Sequence, residues 1–147
     1  SIAQIIIDSW TKCYLNETMK VNDGEVFELE PIIKKCAAAH FKAINMEKIL
    51  EPYVGKLEEF LDFIRNEWKQ KIEYDRTTGI IIADENKDFC VCPLVKHGII
   101  QSKKLCDCTK GFNEMMFEYI LGKKVVVEVI RSWIRDGKSC IYKITLN

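Results

Sequence analysis

The chain lacks an excess of charge of either sign: 22 lysines and arginines face 22 aspartates and glutamates. Binding to nucleic acid or to an anionic membrane rests on a basic surplus, so that balance argues against both as partners. No apolar run approaches the roughly 20 residues that span a bilayer. The opening SIAQIIIDSW is too short for a secretory signal and lacks the basic start of one. There is no internal repeat and no low-complexity tract. Seven cysteines are too few for a disulfide-built scaffold, and their number is odd. These absences together lead to the expectation of a soluble, cytoplasmic domain with free thiols.

What is present is an ordinary globular composition, 48% hydrophobic and 30% charged over 147 residues. That length suits one domain with a sizeable core. The first half, to about residue 70, reads as helical. Ile2, Ile5, Ile6, Trp10, Cys13 and Tyr14 recur at helical spacing. An Asn-Asp-Gly turn at residues 22–24 is expected to end that helix. A second helix follows, with Pro31 in its first turn and Ile33, Ala37, His40 and Ile44 on one face. Pro52 and Gly55 separate it from a third, striped by Leu57, Phe60, Leu61, Ile64 and Trp68.

From about residue 71 the pattern changes. KIEYDRTTGIIIAD predicts a hairpin around Arg76–Gly79, and a helix returns through Phe112, Met116, Tyr119 and Ile120 with Gly122 as its stop. KKVVVEVIRSWI and SCIYKITL predict a second hairpin turning at Asp136-Gly137. The class is therefore α+β: N-terminal helices packed on an antiparallel sheet of about four strands, built from two hairpins with a helix between them. A hairpin edge left open would offer a route to a homodimer.

The chemistry concentrates in FCVCPLVKHGIIQSKKLCDCTK. Cys90 and Cys92 form one Cys-x-Cys pair and Cys106 and Cys108 another, with thirteen residues between them. Residues i and i+2 of an extended segment point the same way, and a helix N-terminus favours thiolate. Three readings stay open. Cys90, Cys92, Cys106 and Cys108 could hold zinc, although its knuckles more often have two to four intervening residues. Cys106 or Cys108 could be a nucleophile with His97 as its base. The thiols could also be buried packing residues, as Cys13, Cys36 and Cys140 are expected to be. Cys36 and His40, four apart on a helix, read as a core pair. Trp10, Phe41 and Phe112 could line an apolar pocket, and Arg131 could meet a ligand carboxylate from within the last hairpin.

The segment from Cys106 to Leu146 ends in LGKKVVVEVIRSWIRDGKSCIYKITL, with Asp136-Gly137 before Cys140-Ile141-Tyr142-Lys143-Ile144. This ending resembles that of 4-vinyl-reductase-like domains, and is similar to that of the amino-thiazoline-carboxylate hydrolase-like family. The first resemblance implies an α+β domain for apolar, hydrocarbon-like ligands, with Cys140 and Glu128 as candidate zinc ligands. The second implies a small cysteine-dependent hydrolase. The leading expectation is a domain that binds an apolar or aromatic small molecule, with the cysteine loop at the edge of the site and able to hold a structural or sensing metal. The alternative is the hydrolase.

Overall fold

A computed structural model of the chain describes residues 1–21 and 28–146. The turn expected at residues 22–24 lies outside the described residues. Helix α1 (Ile2–Met19) is capped by the Ser1 hydroxyl, which accepts from the Gln4 N–H at 3.2 Å. Helix α2 (Leu29–Ala43) carries Pro31 in its first turn, where a missing N–H breaks no helical bond. Asn45, in the left-handed conformation (φ 54°), turns the chain into a short α3 (Met46–Leu50) and a 3-10 turn at Glu51–Tyr53. Helix α4 (Leu57–Glu67) buries Phe60, Leu61 and Ile64, the stripe expected from the sequence.

Strands β1 (Lys71–Asp75) and β2 (Ile80–Asp84) form the first hairpin in the expected place. Gly79 closes its turn at φ +70°, a conformation that a β-branched residue resists. A short α5 (Pro93–Lys96) and a 3-10 turn (Lys103–Leu105) interrupt the cysteine loop. Helix α6 (Cys106–Leu121) ends at Gly122, and β3 (Val126–Arg131), α7 (Trp133–Asp136) and β4 (Ile141–Thr145) complete the chain.

The second hairpin departs from expectation. Its strands pair, but a turn of helix stands where Asp136-Gly137 was to close them directly. Ser132 caps that turn by accepting from the Arg135 N–H at 3.2 Å, and the Asp136 carboxylate accepts from the Ser132 N–H at 3.0 Å. This reciprocal cap satisfies donors that a strand would have left to its neighbour.

All strands run antiparallel in the order β1-β2-β4-β3, so the α+β class holds. Strand alternation sends Ile72, Ile81, Ala83, Val127, Tyr142 and Ile144 to one face, where α4 and α6 cover them. Phe60 and Phe117 meet edge to face at 5.4 Å in the centre of this core. Outside it, α2 packs on α6 and α1 on α2, joined by a second cluster of Trp10, Ile33, Cys36, Ala37, Leu94 and Cys108. Gly111 permits the approach of α2: a Cβ there would stand 3.4 Å from the Ala37 side chain. The other face of the sheet carries Ile80, Ile82, Val126, Ile130 and Ile141 among charged residues, without a covering helix among the described residues. Among the described residues no helix is long and apolar enough to cross a membrane.

Candidate functional site

The strand ends beside the cysteine loop are held by a polar bracket. Ser139 Oγ donates to Asp84 Oδ1 at 2.7 Å and accepts from the Lys87 N–H at 3.0 Å, while Arg131 Nε donates to the Ser139 carbonyl at 2.8 Å. Burial raises the Asp84 carboxyl, but its bonds from Ser139 and the Asn86 N–H, with Arg131 and Lys71 nearby, outweigh that and leave it lowered. One residue further on, the Glu85 N–H donates to the Cys140 carbonyl at 2.9 Å. The chain is thereby fixed with the Glu85 side chain pointing inward, in the phase of Ile81 and Ala83.

Two cavities meet there. The smaller, about 20 Å³, is lined by Cys90, Cys92, Cys106 and Cys140 with Ser132 and Tyr142. It has room for about one water-sized guest. The Cys140 sulfur accepts from the Trp133 N–H at 3.3 Å. Burial pushes the Cys90 thiol up to about 11 and raises those of Cys92 and Cys140 as well.

The larger cavity is a cleft of about 290 Å³ between α2, α6 and the loop. Trp68, Phe112, Met46 and Met116 give its apolar walls, and His40 and Glu85, with the thiols of Cys92 and Cys108, its ionisable groups. The His40 ring lies 4.6 Å from that of Phe112, and burial lowers its pKa to about 4, so the imidazole is neutral at pH 7. Glu85 is 7% exposed, and its Oε2 has no hydrogen-bond partner among the described residues. Burial, opposed by Lys87 and reinforced by Asp84, raises its pKa to about 7. Val91, Cys92 and Thr109 line both cavities and form the wall between them.

The expected four-cysteine set is rearranged. Cys90, Cys92 and Cys106 line one cavity together with Cys140, whereas Cys108 lines the cleft and belongs to the Trp10–Cys36 cluster. The reason is helical geometry: Cys106 and Cys108, two apart at the start of α6, point to different sides. Among the described residues, no three histidine, cysteine, aspartate or glutamate side chains are gathered as a ready metal-binding group. Burial pushes the Cys108 thiol up to about 12 despite its place in the first helical turn. The Trp10 indole draws it back slightly, although Trp10 Nε1 has no partner at hydrogen-bonding geometry among the described residues. His97 is exposed at the end of α5, and among the described residues no hydrogen bond joins it to Cys106 or Cys108.

Of the expected pocket residues, Phe112 lines the cleft. Phe41 is buried behind it, edge-on at 5.4 Å, and Trp10 is buried in the outer helical cluster. Arg131 belongs to the polar bracket and borders a separate surface hollow with Lys87 and Trp133. Glu128, the other candidate by resemblance, is exposed and pairs with Lys143 at 3.8 Å on the open face of the sheet. Sequence reasoning passed over Glu85. The signal was there: Ile81, Ala83 and Glu85 share one alternating phase, and an acid in that phase faces the core.

Residues 10–147 match the family described as DUF6144, a family of unknown function, and the chain belongs to it. No curated protein and no solved structure matches the chain.

Proposed function

We propose that this protein is a small-molecule-binding domain, and that its site is the cleft between α2, α6 and the cysteine loop. The observation that carries the reading is the make-up of that cleft: about 290 Å³, with aromatic and thioether walls around a buried, unpartnered carboxyl. A mostly apolar concavity with a few convergent polar groups is the usual form of a ligand site. Its volume lies near the lower end of the common range of roughly 300–1,000 Å³, which favours a small ligand. The cysteine loop forms one rim through Val91, Cys92 and Pro93.

A neutral fluorescent probe, N-phenyl-1-naphthylamine, tests this. Its emission is expected to rise and saturate at one probe per chain. The rise is expected to vanish in Asn113→Trp, which puts a large ring into the cleft from the partly exposed face of α6. Equal probe binding by the variant, with its melting temperature unchanged, would remove the cleft as the site.

A further inference from the structure

Among the described residues the cleft has one carboxyl and no cation near pH 7. Its lining includes neither lysine nor arginine among the described residues, and its one imidazole is held neutral by burial. A ligand carboxylate would therefore enter a low-dielectric space beside Glu85 with no cation to meet it. Arg131, the residue expected to receive such a group, borders a different hollow and already donates to the Ser139 carbonyl. The opposite charge is well provided for. Glu85 Oε2 is buried without a donor among the described residues, and leaving an acceptor in that state costs free energy that a donor on the ligand recovers. Trp68 and Phe112 stand in the same cleft, and the faces of aromatic rings attract cations.

We propose, building on the ligand-binding reading above, that the cleft selects apolar or aromatic molecules bearing a protonated nitrogen, amines or amidines, which Glu85 holds by a charge-assisted hydrogen bond. The ring of the ligand lies against Trp68, Phe112 and the two methionines. The nitrogen points to Glu85, beside which the bracket of Asp84, Ser139 and Lys87 fixes the backbone that presents the carboxyl.

The charged and titratable groups that act on Glu85 are Asp84 and Lys87 on its own segment, Cys90 and Cys92 on the loop, Cys140 just before β4 and Tyr142 on it. Burial raises the thiols of Cys90, Cys92 and Cys140 and the Tyr142 phenol, so they are neutral near pH 7. The carboxyl of Glu85 is the cleft group that changes charge in that range, with a pKa of about 7.

The test uses the full chain and displacement of bound N-phenyl-1-naphthylamine by benzylamine, ethylbenzene and phenylacetate, three molecules that differ mainly in the group at the end of a short arm. Benzylamine is expected to bind about tenfold or more tighter than phenylacetate at pH 8, and to lose about tenfold at pH 5.5, where Glu85 is protonated. Glu85→Gln is expected to erase both the preference and the pH dependence while ethylbenzene binds as before, which shows that the variant is folded and its cleft intact. Equal binding of the amine and the acid, or a preference that survives Glu85→Gln, would overturn the assignment and leave an unselective apolar cleft. Absence of any saturable probe binding would overturn the underlying site and this assignment together.

Discussion

His40 and Glu85 share a cleft, and burial moves their pKa values in opposite directions. The unfolded chain takes up a proton on His40 below about 6.5, which the folded chain refuses until about 4, so this residue lowers stability as pH falls through that window. Glu85 does the reverse. The folded chain keeps its proton to about 7 and the unfolded chain releases it near 4.5, so stability falls as pH rises from 4.5 to 7. Each effect is at most about 3 kcal/mol, and the partial exposure of His40 cuts its share to roughly 1–2 kcal/mol. The two slopes offset in the wild type. Thermal melts across pH 4.5–7 are expected to separate them: relative to wild type, His40→Leu melts progressively lower as pH rises, and Glu85→Gln progressively higher. Parallel curves for all three proteins would mean that neither group is buried in the ionisation state argued for it. The thiols give a second residue-level expectation. At pH 7.5 iodoacetamide should modify Cys108 about tenfold or more slowly than free cysteine, followed by mass spectrometry of the digest, because burial keeps it a thiol. A rate matching free cysteine would return Cys108 to the list of nucleophiles. Much of this scale was legible beforehand, since strand phase marks Glu85 and helical spacing places Phe112. The position of Cys140 was not, because it reaches Cys90 and Cys106 only through the pairing of β4 in the sheet.

At the scale of elements, the first hairpin followed directly from two β-prone runs around a four-residue turn, and β1 and β2 lie where alternation placed them. The second hairpin was misread at its tip because Asp136-Gly137 serves two masters. It is a hairpin signal, and it is also the last residue of α7 followed by the left-handed glycine that ends it. The choice was made by Ser132, whose cap on Arg135 outweighs a tight turn. The short α3 after Asn45 escaped notice because five residues carry too little periodicity. The polar bracket at the strand ends was invisible in sequence, as Asp84 and Ser139 are 55 residues apart. Ser139→Ala removes the hydroxyl that joins Asp84 to the Lys87 N–H and is expected to cost about 1–2 kcal/mol. A urea titration should show the midpoint fall with an unchanged slope, and a melt unaffected by the substitution would mean that solvent replaces the bracket without loss.

For the whole molecule, the layering of α1 on α2, α2 on α6 and α6 on the sheet makes Phe60 and Phe117 the hinge of stability. Phe60 is fully buried and meets Tyr53, Trp68 and Phe117. Phe60→Ala is expected to cost about 3–5 kcal/mol, a large part of the 5–15 kcal/mol typical of a domain, and circular dichroism melts would show a loss of cooperativity or a fall well beyond that of Ser139→Ala. The cleft opens on one side of this core, with Trp68 and Met116 belonging to both, so its walls are braced by the main hydrophobic core.

The wall between the two cavities has one more consequence. Cys92 contributes to both, so any covalent change at its sulfur reshapes the place where a ligand would rest. Linkage is reciprocal: by whatever factor oxidation of Cys92 weakens a guest, that guest makes the oxidised form harder to reach. In the proposed site, occupancy and the chemical state of Cys92 would then be two readings of a single equilibrium, joined through one shared sulfur.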